Sequence, residues 1–170
     1  MRLFIALMLP DAFKASIINT QSALKDCGIK GTYTPADNLH ITLAFIGEQK
    51  SPSKAKDALM QVRFAPFEIA SGPLGYFKSS SIIWQGLEDN GNIGILAEKV
   101  RSSLKEFGVP FDGKPAMPHI TLIRRTSSLP MDKTVTEKDT MLVERIDLMR
   151  SDHISGRQVY TSLYYRKAES

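Results

Sequence analysis

Apolar residues run almost unbroken from Leu3 to Leu9, which predicts a first strand covered on both faces. Pro10 ends it. Asp11 then stands where it can cap a helix to about Lys25, with Phe13, Ile17, Thr20/Gln21 and Leu24 turned inward and Gly28 and Gly31 beyond its end. Residues 39–46 alternate: Leu39, Ile41, Leu43 and Phe45 fall on one parity, and His40, Thr42, Ala44 and Ile46 on the other. Ser51-Pro52 reads as the cap and first residue of a helix to about Arg63, with Ala55, Ala58, Leu59 and Val62 inward. Strands are expected at 66–70, 75–77 and 81–85, between Gly/Ser turns. The most regular stripe, Ile93, Leu96, Ala97, Val100, Leu104 and Phe107, marks a helix over 92–107 that Gly108 and Pro110 stop. A strand at 119–123, a polar loop at 127–139, and strands at 141–149 and 159–165 joined as a hairpin complete an α+β pattern. The pattern is doubled: each half carries a helix and then a strand with the same tetrapeptide.

Composition narrows the class. The chain has 170 residues, 42% hydrophobic and 24% charged, enough apolar surface for a folded soluble protein rather than a disordered one. Its one cysteine, Cys27, excludes a disulfide scaffold and a Cys-rich zinc site and fits a reducing, cytoplasmic setting. No apolar run approaches the roughly 20 residues that span a bilayer. The apolar start is short and lacks a small-residue cleavage pattern, so it reads as a strand and not a signal peptide. A net charge of +4 suits a polyanionic partner such as RNA, although many unrelated proteins share it.

The doubled tetrapeptide carries the chemistry. His40-Ile41-Thr42-Leu43 recurs as His119-Ile120-Thr121-Leu122, so two of the chain's three histidines share one setting. Residues i and i+2 of a strand point the same way. His40 therefore shares a face with Thr42, and His119 with Thr121, while Ile41, Leu43, Ile120 and Leu122 face a core. If the halves pack about a pseudo-twofold axis, two imidazoles and two hydroxyls meet in one cleft. Imidazole titrates near neutrality, so one ring can accept a proton while the other donates one. Hydroxyls beside them suit the non-bridging oxygens of a phosphate, where charge grows. A metal site is the weaker reading, because no carboxylate or cysteine lies near either motif and Asp37 is the nearest acid.

Longer stretches around the motifs resemble the 2H phosphoesterase superfamily, and within it the RNA 2′,3′-cyclic phosphodiesterase (2′-5′ RNA ligase) family. The matching segments are Arg2-Leu3-Phe4-Ile5-Ala6, residues 38–47 around His40, residues 117–124 around His119, and Ile146-Asp147-Leu148-Met149-Arg150-Ser151 with Gly156 and Tyr160. One departure is Tyr33, where the family often has Trp. The resemblance implies a single bilobal domain over 1–170. It has two pseudo-symmetric lobes, each a mostly antiparallel sheet with helices packed outside, and an active cleft between them. It implies an RNA or nucleotide substrate ending in a 2′,3′-cyclic phosphate, hydrolysed to a 2′-phosphate without metal or cofactor, with 2′-5′ ligation as the reverse type of reaction. In that scheme His40 is the proton donor and His119 the acceptor, Thr42, Thr121 and Arg124 bind phosphate, and Phe45 stacks on the terminal base.

Strict alternation puts Phe45 and Arg124 on the opposite parity from the histidines. Both reach the cleft only if their strands bulge, twist or end there. Arg125 is the alternative to Arg124. His153 reads as an ordinary loop histidine, and Cys27 as unreactive. Trp84 reads as a core aromatic, with stacking against RNA as the alternative. A 2′-5′ oligonucleotide phosphodiesterase and an RNA-end-binding module without turnover are the competing functions. A monomer that does not associate with membranes is expected.

Overall fold

The uninterrupted apolar start forms β1 (Arg2–Met8), and its two faces serve different clusters. Leu3, Ile5 and Leu7 enter the main core. Phe4 and Ala6 pack with Met149 in a second, smaller cluster on the other face. This computed structural model describes residues 1–114, 117–127 and 138–169. The loop expected at 127–139 falls mostly outside them.

Among the described residues, nine strands form one sheet in which every pairing is antiparallel. They are β1, β2 (Thr32–Tyr33), β3 (His40–Glu48), β4 (Phe67–Phe77), β5 (Ile82–Glu88), β6 (Ile120–Arg124), β7 (Thr140–Val143), β8 (Arg145–Ile154) and β9 (Arg157–Lys167). The order is β7-β4-β5-β6-β3-β1-β8-β9, with β2 flanking β6. Its first four strands make one half and its last four the other. The halves meet at the β3–β6 pairing, where Ile41 stands opposite Ile120.

Among the described residues, three α-helices pack against the sheet: α1 (Asp11–Asp26), α2 (Ser53–Met60) and α3 (Asn92–Glu106). Gln21, nearly buried on α1, donates its amide to the carbonyls of Thr34 and Leu122, both at 3.0 Å, and so ties α1 to β6. Asp11 lies in the first turn of α1 and makes no side-chain cap, because Pro10 takes the cap position. At α2, Pro52 and not Ser51 takes the cap position and the helix begins at Ser53. Ser51, one residue outside, accepts the Ser53 amide at 3.2 Å, and the helix ends at Met60, sooner than the apolar spacing indicates.

Two strand readings are corrected. The segments expected at 66–70 and 75–77 are one strand, β4, because a bulge between Ser71 and Leu74 absorbs Gly72-Pro73 without ending the pairing. The strand expected at 141–149 is two. The chain leaves β7, paired with β4, passes Glu144, and enters β8, paired with β1, so it crosses between the halves. His153 lies within β8, near the two-residue turn at Ser155 and Gly156, whose positive φ values of 50° and 78° mark a type I′ hairpin.

Candidate active site

Each motif is anchored by its apolar residues. Leu39, Ile41 and Leu43 are at most 1% exposed, and Ile120 and Leu122 are fully buried. That leaves His40, Thr42, His119 and Thr121 half-buried on the opposite face. Both imidazoles are fixed in the same way. His40 Nδ1 lies 2.7 Å from the Asn38 carbonyl, and His119 Nδ1 lies 2.7 Å from the Met117 carbonyl. A carbonyl can only accept, so Nδ1 donates in each case, and Nε2 is left to exchange protons with a ligand. His40 Nε2 already lies 2.9 Å from Thr42 Oγ1.

The two parity conflicts are resolved by paired bulges. In β3, Ala44 pairs with Ile5 and Thr42 with Ala6, so Leu43 is an extra residue in the ladder. In β6, Ile123 pairs with Ile83 and Thr121 with Trp84, so Leu122 is extra in the same way. Each extra residue reverses the parity that follows it. Phe45, 37% exposed, and Arg124 are thereby returned to the face of the histidines. Arg125, with a positive φ of 56°, turns away and donates to Thr32 Oγ1 at 3.3 Å.

A cavity of about 290 Å³ is lined by Arg2, Phe4, His40, Thr42, Phe45, Arg124, Ser151, Gln158 and Tyr160. It gathers four of the six expected site residues. Thr121 on β6 and His119, immediately before that strand, are outside the lining. The floor and walls carry several residues that parity alone does not single out. Phe4 and Tyr160 pack around the His40 ring with centroids 5.1 and 5.3 Å away. Phe77 and Trp84 pack around the His119 ring at 5.1 and 6.3 Å. The Arg2 guanidinium sits 5.0 Å from the centre of the Phe45 ring, and Gln158 donates to the Ser151 hydroxyl at the rim. Arg2, Phe4, Ser151 and Tyr160 lie in the segments that carry the family resemblance, and that was their only signal. Nothing in the side-chain pattern marks the Asn38 and Met117 carbonyls, because any residue supplies one.

Burial pushes both imidazoles below the ordinary histidine range, since a low-dielectric setting disfavours the cation. The backbone carbonyls oppose this by bonding Nδ1–H, and Arg124 reinforces it from nearby. His119 adds a further push on His40. Burial raises the Tyr160 phenol, against the pull of Arg124 and Arg2. The lining brings the Arg124 side chain, the His40 ring and the Thr42 hydroxyl together, groups that suit a phosphate. Among the described residues, no three His, Cys, Asp or Glu side chains converge, and no helix is long and apolar enough to cross a membrane.

Comparison with known proteins identifies the family. The profile of the 2′-5′ RNA ligase superfamily matches residues 20–154. A Thermotoga maritima protein named RNA 2′,3′-cyclic phosphodiesterase is 32% identical over 154 residues, covering 86% of this chain and 78% of that protein. One of the same name from Escherichia coli K12 is 31% identical over 166 residues, covering 95% and 93%. The crystal structure of E. coli LigT in apo form superposes with a TM-score of 0.83 at 29% identity, covering 99% of this chain and 98% of that one. The chain belongs to the 2′-5′ RNA ligase superfamily.

Proposed function

We propose that the chain is an RNA 2′,3′-cyclic phosphodiesterase, working as one bilobal domain with one motif from each lobe. Its substrate is an RNA or nucleotide ending in a 2′,3′-cyclic phosphate, and its product carries a 2′-phosphate. His119 Nε2 takes a proton from water as the water oxygen bonds to phosphorus. The P–O3′ bond breaks, and His40, protonated on Nε2, gives its proton to O3′. Exchange with solvent returns each ring to its starting state, so the cycle needs no metal ion. Thr42 and Thr121 donate to the non-bridging oxygens, and Arg124 offsets their growing charge. Phe45 stacks on the terminal base.

The observation that supports this reading best is the matched pair of tethers. Each imidazole is held through Nδ1 by a carbonyl two residues earlier, at 2.7 Å in both halves, so each presents Nε2 in a fixed tautomer. The names of the Thermotoga and E. coli relatives supply the substrate class. The test is a short oligoribonucleotide with a 2′,3′-cyclic phosphate end, incubated with the protein in EDTA. A 2′-phosphate product is expected. A 3′-phosphate would reverse which oxygen leaves, and loss of turnover in EDTA would show that a metal ion is required.

A further inference from the structure

We propose that Trp84, seated on Gly75 and backed by Phe77, is a second base-stacking surface, which takes the nucleoside whose 5′-oxygen attacks or leaves the phosphorus. This rests on the acid–base assignment above. There, His119 activates the nucleophile. In ligation the nucleophile is a 5′-hydroxyl in place of water: His119 takes its proton, the new P–O5′ bond forms, the P–O3′ bond breaks, and His40 protonates O3′. The reverse step cleaves a 2′-5′ linkage. The nucleoside that carries O5′ must then lie on the His119 side of the phosphate, against β4 and β5, opposite the Phe45 subsite on β3.

The sheet places Trp84 there. It pairs with Thr121, and directly opposed residues of an antiparallel pair project to the same face. Its neighbours on β5, Ile83 and Gln85, are fully buried on the core face, while Trp84 is half-buried on the other. Its ring packs against Phe77 at 5.0 Å and reaches His119 at 6.3 Å. The indole N–H makes no hydrogen bond to any of the described residues.

Gly75 makes room for it. A Cβ on Gly75, its cross-strand partner on β4, would fall 2.0 Å from the indole. The ring therefore lies flat over the Gly75 backbone, a seat that a side chain would destroy.

The pseudo-symmetry makes the placement informative. In the other half, the residue opposite Thr42 is Ala6, a small buried side chain. Supporting the histidine does not require a ring at this position, since the His40 lobe draws its two rings from Phe4 and Tyr160 instead. The bulk of Trp84 is specific to the lobe that faces the nucleophile. Flat aromatic surfaces of this kind stack on bases without regard to sequence.

Trp84 is the chain's one tryptophan, so its emission reports this site alone. Native protein is titrated with 2′-5′-linked ApA and, separately, with adenosine 2′-phosphate, which lacks the second nucleoside. Saturable quenching well beyond that seen with adenosine 2′-phosphate is expected from the dinucleotide. In kinetics, Trp84→Leu should raise KM for 2′-5′-linked ApA roughly 5- to 100-fold more than KM for adenosine 2′,3′-cyclic phosphate. Trp84→Tyr should recover most of the difference. An equal rise for both substrates would overturn the proposal, leaving Trp84 as a support for His119, and so would no change in either. If the native protein turns over neither compound, the phosphodiesterase reading fails and the fluorescence decides alone. Quenching selective for the dinucleotide would uphold the stacking surface, and equal or absent quenching would refute it.

Discussion

Ile41 and Ile120 oppose each other at the junction of the two half-sheets, and each immediately follows its histidine. Both are fully buried. The position of one imidazole relative to the other is therefore set by this single aliphatic contact and the backbone pairing beneath it. Replacing either with valine removes one methylene from a closed site and should cost about 0.5–1.5 kcal/mol. Because the two lie in contact, the double substitution should depart from additivity. Turnover should suffer as well, with kcat falling more than KM rises, since the change loosens the spacing of two proton-transfer groups rather than a binding contact. Urea midpoints and steady-state kinetics check this. An unchanged kcat in a destabilised variant would show that the junction does not set the spacing.

His40→Ala and His119→Ala should each lower kcat on a cyclic-phosphate substrate by about 10²–10⁴-fold, the usual contribution of a positioned acid or base. The double variant should be little worse than the more damaging single one, because either loss already breaks the proton relay. Circular dichroism should show the fold retained, since Leu39, Ile41, Leu43, Ile120 and Leu122 hold the two segments without help from the imidazoles. Either single variant keeping most of its activity would remove that histidine from the mechanism.

The pH dependence follows from the burial of both rings. The reaction needs His119 neutral and His40 charged, so kcat/KM should trace a bell. Both imidazoles titrate below the ordinary value of about 6.5, so the maximum should lie on the acid side of that value. Arg124 lowers both, so Arg124→Ala should move both limbs to higher pH. Imidazole proton shifts followed by NMR would show the same movement without relying on activity. Stability carries the same sign. Above about 6.5 both rings are neutral, folded or unfolded, and contribute no pH dependence. Below it the unfolded chain takes up protons that the folded chain does not, so stability should fall on acidification. A protein that is no less stable at pH 5 than at pH 7, or an Arg124→Ala profile that does not move, would contradict the assignment.

Long-range periodicity made much of this legible in advance. The stripe from Ile93 to Leu104 located α3 to within a residue, and the repeated tetrapeptide located four half-buried polar residues, His40, Thr42, His119 and Thr121, on the face opposite the core. What parity could not supply was any departure from regular pleating. Leu43 and Leu122 look like ordinary inward residues, yet each is the extra residue that turns the next part of its strand over. Glu144 looks like the middle of a strand, yet the chain changes half-sheets there. Trp84 follows two isoleucines, so no alternation told which face it takes. Its seat is defined by Gly75, nine residues earlier on another strand. These features depend on partners far along the chain, and a local pattern carries no record of them.

The bulges also predict how Phe45 and Arg124 divide their work. Phe45 lies half-open in the cavity lining, with Arg2 5.0 Å from its ring centre. Its loss removes a stacking surface, worth about 1–3 kcal/mol per base. Phe45→Ala should therefore raise KM for a cyclic-phosphate nucleotide some 5- to 100-fold, with kcat nearly retained, and Phe45→Tyr should restore binding. Arg124 acts on the phosphate itself, where charge grows as P–O3′ breaks, so Arg124→Ala should lower kcat as well as weaken binding. Arg124→Lys should recover only part, because a point charge lacks the planar fork that matches two phosphate oxygens. Arg125→Ala, by contrast, should leave both constants within about twofold, since its side chain is turned to Thr32. A kcat defect in Phe45→Ala as deep as that in Arg124→Ala would mean the bulge positions the reacting phosphate and not merely the base.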